Sequence, residues 1–305
     1  MADGAKTILC AGGAVQDIVM RVDAFPLPGN KVQASDVVTT IGGQSGNAAV
    51  TLAHLGARVR YAGPLGGEDD GPASFVIAAL KREGVDCAHA IRVAGGQSSL
   101  SLIMLDATGE KMIATRRGTK LSGVTPRDAG ALVEGCGAVL LDNRYPDFVL
   151  PVAAAAKARS LPRVLDFDYG APADDAVLLA STHVIASADA LRDSIGHRDL
   201  ADGLKALARH YRGFLAVTDG PDGVWWLDGG AVRHMDAFRI EAIDTLGAGD
   251  AFHGAFTLRL AECGDAVEAL RFASAVAALK CTRFGGTSGA PAREEVEEFL
   301  KVRAV

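Results

Sequence analysis

From residue 126 onward the chain alternates short apolar, β-branched runs with longer stretches of helical periodicity, and this alternation constrains the fold more than any other feature. Strands are expected at Ala138 to Asp142, Arg163 to Asp168, His183 to Ser187 and Phe214 to Thr218, and helices at Pro146 to Ser160 and Leu200 to His210. Val224 to Leu227 and Ala231 to Met235 read as a hairpin turning at Asp228-Gly229-Gly230. A strand-like stretch, Phe238 to Ile243, is followed by helices at about Gly249 to Ala261, Ala266 to Cys281 and Arg293 to Val302. Strands that recur after helices form parallel sheets whose crossovers cover both faces. The expected class is α/β, with a mostly parallel central sheet, in a single domain spanning 1–305.

The first third reads differently. Thr7 to Ala11 is a short buried strand ending at Gly12-Gly13, and Gln33 to Ile41 is an alternating strand. Gly42-Gly43-Gln44-Ser45-Gly46 then leads into a helix from Asn47 to Leu55, which Gly56 ends. Val59 to Ala62 looks like the next strand. Ser98 to Leu105 and Lys111 to Thr115 form a hairpin that, with Gln33 to Ile41, makes a small sheet projecting from the body. The resulting lid spans about 14–40 and 96–117. Its uncovered face needs a ligand or a partner, which favours a homodimer through the lid.

Net charge is −6, which argues against a broad nucleic-acid surface. Five cysteines lie scattered at Cys10, Cys87, Cys136, Cys263 and Cys281, without metal or redox spacing. Buried thiols in a reducing cytoplasm are the expectation. No apolar run reaches the roughly 18 to 20 residues of a membrane span.

The chemistry concentrates in Asp244-Thr245-Leu246-Gly247-Ala248-Gly249-Asp250-Ala251-Phe252. Two glycines around an alanine let the backbone approach a ligand closely. The helix that follows offers free N–H groups and a positive dipole end to a phosphoryl group. Asp250 lies in its first turn. Helix starts favour aspartate in any case, but a carboxylate beside such amides also suits a general base.

This stretch closely resembles the C-terminal motif of the ribokinase-like (PfkB) carbohydrate kinases. Gly42 to Ala49, followed by Leu52-Ala53-His54-Leu55-Gly56, resembles their N-terminal motif, and the two stand in the family's order. The resemblance runs from Ala11 to the last helix and implies a ribokinase-like fold with a small β-sheet lid. It implies an ATP-dependent kinase using Mg²⁺, with Asp250 as the base and Gly247, Ala248 and Gly249 as the anion hole. Asp17, Gly42, Gly43 and Asn47 match sugar-binding positions. Ser187, Thr218, Gly220, Gly223 and Ser274 match the nucleotide site, although Gly220-Pro221-Asp222-Gly223 also reads as a plain turn. Asp244, Leu246, Lys280, Arg283, Gly285 and Gly289 match positions that bind potassium, mostly through backbone carbonyls, in relatives that use it. The family's Asn-x-x-Glu pattern is absent: the stretch reads Ser187-Ala188-Asp189-Ala190. That leaves Mg²⁺ to Asp189, or to water with Asp166 or Asp168.

Asp142-Asn143-Arg144 ends a strand and resembles an arrangement in ketohexokinase-like members; within the family the likeness points toward bacterial sulfofructose kinase. By that resemblance Asp142 belongs to the substrate site, and Arg144 and Lys31 would meet an anionic sugar end. Arg116-Arg117 is either a further contribution or a solvated basic pair. Thr115 stands where the sulfofructose enzyme has asparagine, so fructose-like and 2-keto-3-deoxy-aldonate-like substrates stay open. The alternatives are a nucleoside kinase, which 6% aromatic residues disfavours, and a non-catalytic sugar-binding regulator, which the intact Gly247 to Asp250 disfavours. No Gly-x-Gly-x-x-Gly follows the first strand, against an oxidoreductase.

Overall fold

The computed structural model describes residues 6–303. The chain begins with β1 (Thr7–Ala11), β2 (Val15–Val22) and β3 (Ala34–Gly42), followed by α1 (Gln44–His54), β4 (Arg58–Ala62), β5 (Pro64–Gly66) and α2 (Gly71–Arg82). Next come β6 (Ile91–Val93), β7 (Leu100–Leu105), β8 (Lys111–Arg116), α3 (Ala129–Leu132), β9 (Cys136–Asp142), α4 (Pro146–Ala158), β10 (Arg163–Phe167) and α5 (Ala176–Ala180). The chain continues through β11 (His183–Ser187), α6 (Ala188–Ile195), α7 (Leu200–Leu207), β12 (Phe214–Thr218), β13 (Val224–Asp228) and β14 (Ala231–Met235), and closes with α8 (Ala248–Cys263), α9 (Ala266–Cys281) and α10 (Arg293–Val302).

Eight strands form one sheet in the order β14-β13-β12-β11-β10-β9-β1-β4, parallel except for the β13–β14 hairpin at one edge. Its central strands are apolar on both faces because helices cover both. Leu9, Val139, Leu165 and Val184 pack with α4, α5 and α7, and Ile8, Leu140 and Ile185 pack with α1, α8 and α9 on the other side. α8 buries nine residues spread around its circumference, as a helix between sheet and helices must. Each large apolar side chain buried there, Phe256 for example, contributes about 1.5–3 kcal/mol.

The lid is a four-stranded sheet, β3-β2-β7-β8, one strand richer than expected because Val15–Val22 pairs between β3 and β7. Val19, Ile103 and Leu105 on its inner face pack on Leu246 and Phe284 of the body. Its outer face leaves Val37, Leu102 and Met112 exposed by 54%, 48% and 46%.

The structure corrects the sequence reading in three places. Phe238 to Ile243 is irregular rather than a strand, because β14 already forms the sheet edge and the chain must cross back to reach α8. α2, capped by Asp70 accepting from the Ala73 amide at 3.0 Å, and α6 were not anticipated, nor were the short α3, α5, β5 and β6. The helix expected to reach His210 ends at Leu207. Among the described residues no helix is long and apolar enough to cross a membrane.

Candidate active site

The candidate site lies at the carboxyl ends of β1, β9 and β10. β1 has β4 on one side and β9 on the other, so strand order reverses there, and open α/β sheets bind ligands at such points.

Asp250 sits in the first turn of α8. Asn47 of α1 donates its Nδ2 to Asp250 Oδ2 at 2.6 Å, and Thr287 donates its hydroxyl to Asn47 Oδ1 at 2.8 Å. Three segments distant in sequence thereby aim one carboxylate. Burial pushes its pKa up to about 6; the Asn47 hydrogen bond opposes the shift, and the charges of Asp168, Asp17 and Asp142 add to it. A carboxylate tuned toward neutrality is suited to taking a hydroxyl proton. Beneath it, Asp166 accepts from Gln44 Nε2 at 2.9 Å, and its Oδ2 lies 3.3 Å from His253 Nδ1. Burial holds Asp166 well above the carboxylate range, with Asp250 and Asp168 adding to the effect. His253 spans from Gly249 O, 2.7 Å from Nδ1, to Ile185 O, 3.1 Å from Nε2, and braces the helix start on β11.

Gly247 caps α8 with φ 74°, the left-handed region that glycine occupies without strain. The Ala248 amide closes a turn on Thr245 O at 3.2 Å, and the Ala251 amide bonds Gly247 O at 2.9 Å. The amides between them, of Gly249 and Asp250, have no acceptor among the described residues. Of the three residues expected to form an anion hole, Gly247, Ala248 and Gly249, the amide of Ala248 is engaged in that turn, whereas those of Gly247 and Gly249 have no acceptor among the described residues. A side chain at Gly249 would meet nothing within 4 Å, so the turn is open to a ligand.

Beside this turn is a cavity of about 720 Å³ lined by Thr218, Gly220, Gly223, Ser274, Phe238 and Gly249, among others. Four of the five expected nucleotide residues meet there. The fifth, Ser187, does not line it: its hydroxyl is the N-cap of α6, accepting from the Ala190 amide at 3.2 Å. Gly223 has φ 95°, and a Cβ there would lie 2.1 Å from Met235 O. The irregular stretch from Ala237 to Ala242 walls the cavity, which the strand reading had missed.

Among the residues matched to sugar binding, Asp17 is buried on the inner lid face, and burial pushes it up to about 6 against the opposing Ser101 hydrogen bond. A Cβ on Gly42 would stand 1.9 Å from Asp17 Oδ2, and one on Gly43 would stand 2.8 Å from Gly13 O, so both glycines are required by close approach. Asp142 departs from the expected role. Its carboxylate accepts from the Gly13 amide at 2.7 Å, Ser45 Oγ at 2.7 Å and the Arg144 amide at 3.0 Å, and it is buried. It holds the turn and the start of α1 instead of presenting itself to a sugar. Arg144 stacks its guanidinium 4.0 Å over the Tyr169 ring and bonds the Tyr169 hydroxyl. Lys31 is not brought beside it; Lys31 is exposed in the 23–33 connection at the far end of the β2–β3 hairpin. Arg116 is engaged by Gln97 Oε1 at 2.9 Å and Ser98 O at 3.0 Å.

Among the described residues no group of three or more His, Cys, Asp or Glu side chains is arranged to hold a metal. Mg²⁺ bound with a nucleotide needs only one or two carboxylates beside phosphates and water. The exposed Asp168, with the buried Asp166 whose Oδ2 lacks a hydrogen-bond partner, fits that need. Asp189 does not, since it pairs with Arg192 at 3.1 Å on the exposed side of α6. The positions matched to potassium converge at Asp244, whose carboxylate takes the amides of Leu246 at 2.8 Å and Gly285 at 2.9 Å. Lys280 joins them through its side chain, donating to Asp244 O at 2.7 Å. Arg283 pairs with Glu295, and Gly289 ends the adjacent 3-10 turn Gly286–Gly289.

Sequence reasoning missed Thr287, Gln44, Ser45 and Tyr169. Gln44 and Ser45 lay in plain view within the glycine-rich motif; Thr287 follows Gly285-Gly286 and carried no signal of its own.

A family model described as pfkB family carbohydrate kinase matches residues 5–293. The chain is 30% identical to a ribokinase of Bacillus subtilis (strain 168) over 299 residues, covering 97% of this chain and 99% of that protein. A crystal structure of a putative ribokinase from Agrobacterium tumefaciens superimposes with a TM-score of 0.93 at 35% identity, covering 99% of both chains. The fold is shared with Arabidopsis thaliana ribokinase complexed with ribose and ATP, at a TM-score of 0.81 and 24% identity over 98% of this chain and 99% of that one.

Proposed function

The chain belongs to the pfkB family of carbohydrate kinases, and on that premise we propose that it transfers the γ-phosphate of ATP to a primary hydroxyl of a small sugar, with Asp250 as the base. The observation that carries this reading is the position of the Asp250 carboxylate. It is aimed by Asn47 and tuned to about 6, next to the unpaired Gly249 amide at the mouth of the nucleotide-sized cavity. Thr218, Gly220, Gly223 and Ser274 hold the nucleotide. Asp17, Gly42 and Gly43 form the sugar side. Asp250 takes the hydroxyl proton as the oxygen attacks the γ-phosphorus in line, and the Gly249 and Asp250 amides take up charge on the transferred group. Mg²⁺, held by Asp168 with Asp166 behind it, would neutralise phosphate charge. The lid closes over the sugar and keeps water from accepting the phosphate.

The acceptor we favour is a neutral ribose- or fructose-like sugar. The curated relatives that the chain matches include ribokinases, and the basic cluster expected for an anionic end reduces to one residue, Arg144. That guanidinium supports a second reading, a ketose with an anionic end such as 6-sulfofructose, because a planar fork suits such a group. The exposed Val37, Leu102 and Met112 favour a second copy of the chain covering the outer lid face.

ATP-dependent turnover should be measured against ribose, fructose, an aldonate, a nucleoside and 6-sulfofructose. Best turnover with a neutral sugar supports the first reading. Best turnover with the anionic ketose, lost in Arg144→Ala, supports the second. Tight sugar binding without turnover of any substrate would refute both.

A further inference from the structure

Lys280 occupies the last turn of α9, and its side chain is fully buried. A buried ammonium is tolerated only where oxygens replace its hydration. Here they come from one residue: Nζ donates to Asp244 O at 2.7 Å and lies 3.6 Å from Asp244 Oδ1. The remaining valences of that carboxylate are taken by backbone. Leu246 donates to Oδ1 at 2.8 Å, and Gly285 and Gly286 each donate to Oδ2 at 2.9 Å. The backbone is tied at the same place, since the Ile243 and Asp244 amides bond Cys281 O at 2.8 and 3.1 Å. Burial pulls Lys280 below its ordinary range, and the facing Asp244 opposes that shift.

A potassium ion at these positions would need the Asp244 oxygens, which already accept from amides and an ammonium. It would also sit against a fixed positive charge in a site with little water to screen it. The residues present do not fit the ion. They fit the purpose such an ion would serve: Asp244 begins the loop whose fourth residue, Gly247, caps α8 and sets the Gly249 and Asp250 amides.

We propose that the Lys280 ammonium is a built-in cation for the anion-hole loop, which makes this enzyme indifferent to potassium. Lys280 is a positioning residue. It touches neither sugar nor nucleotide, and it acts by fixing Asp244 and, through it, the start of α8. Its position at a helix C-terminus adds a favourable interaction with the helix dipole.

Two arms test this, in potassium chloride against tetramethylammonium chloride at equal ionic strength. The first measures the melting temperature of the ligand-free protein and needs no substrate. The second measures turnover and rests on the kinase reading above, so failure of that reading would silence the second arm and leave the first informative. The wild type should show the same melting temperature and turnover in both salts. Lys280→Met should lose turnover, by about tenfold to a hundredfold for a displaced loop, with KM for sugar little changed. Potassium, and not tetramethylammonium, should restore part of its melting temperature and turnover. A saturable potassium response in the wild type would overturn the proposal. So would a Lys280→Met protein with normal turnover, or one whose defect no small cation relieves. If Lys280→Met does not fold, the wild-type comparison decides alone.

Discussion

Replacing Asp250 with asparagine should make the protein more stable and nearly inactive. In the folded state burial raises the Asp250 pKa from 3.8 to about 6. The unfolded chain loses this proton first as pH rises, so the charged carboxylate penalises folding progressively between those values and fully above them. A shift of about two units corresponds to a ceiling of about 3 kcal/mol. Asp250 is only half-buried, and discounting for solvent leaves about 1–2 kcal/mol. The Asn47 hydrogen bond survives, since an amide oxygen at position 250 still accepts from Nδ2. At about 2 °C per kcal/mol for a chain of this size, Asp250→Asn should melt about 2–4 °C higher at pH 8. At pH 4, where the wild-type carboxyl is protonated in the folded state, the difference should nearly vanish. Turnover should fall about 100-fold to 10,000-fold, the usual contribution of a general base, and wild-type kcat/KM should decline below about pH 6. Scanning calorimetry at both pH values and a coupled ADP-release assay supply the readouts. A variant less stable at pH 8, or equally stabilised at both, would refute the burial argument, and near-normal turnover would remove Asp250 from the chemistry.

Thr287→Val leaves the buried Asn47 Oδ1 without its donor, so stability should fall by about 1–3 kcal/mol and kcat should drop more than KM; an unchanged kcat would separate Thr287 from the base. Gly223→Ala places a Cβ 2.1 Å from Met235 O at φ 95°, a strain of about 1–3 kcal/mol that should raise KM for ATP and leave KM for sugar alone. Leu102→Lys on the outer lid face should yield monomers by sedimentation velocity if a second copy covers that face, and no change if solvent does.

The parts of the fold that were legible in the sequence are those where local pattern and tertiary role agree. His183–Ser187, Phe214–Thr218 and Ala266–Cys281 form where periodicity placed them, because apolar faces in those segments have only the core to meet. Phe238 to Ile243 shows the opposite case: its pattern is strand-like, yet it pairs with no strand, and its Phe238, Ile240 and Ala242 wall the cavity beside α8. The site shows the same division. Asp250, Asn47 and the glycines announce themselves by motif, and at Gly42 and Gly43 close approach leaves no room for a side chain. Thr287 acts by contact across 240 positions of sequence, and such contacts leave no local trace. Asp142 carried a misleading signal: a carboxylate at a strand end suggests a ligand, but its hydrogen-bonding capacity is spent on Gly13, Ser45 and Arg144. Lys280 was placed at its site for its backbone, whereas the side chain is the part that reaches Asp244.

The 2.6 Å bond between Asn47 and Asp250 depends on how closely α1 and α8 approach, and a single glycine sets that distance. A Cβ on Gly254 would lie 3.0 Å from Ala48 O and 3.3 Å from Ala48 Cα, so the helices touch backbone to backbone one turn below the carboxylate. The contact on the α1 side is main chain and cannot rotate away. A larger residue at 254 must therefore separate the helices, and the displacement is delivered to Asp250 at the near end of the same helix. Gly254→Val should stretch the Asn47–Asp250 pair by about an ångström, a misplacement of the order that costs about 100-fold in rate. Gly254→Ala, at the margin of tolerable contact, should cost far less. Because α8 also presents the Gly249 amide, the lost rate should appear in kcat, with sugar KM little changed, as Asp17 stands on β2 of the lid and Gly42 and Gly43 precede α1. A Gly254→Val protein that folds and keeps wild-type kcat would show that α1 and α8 do not set the geometry of the base.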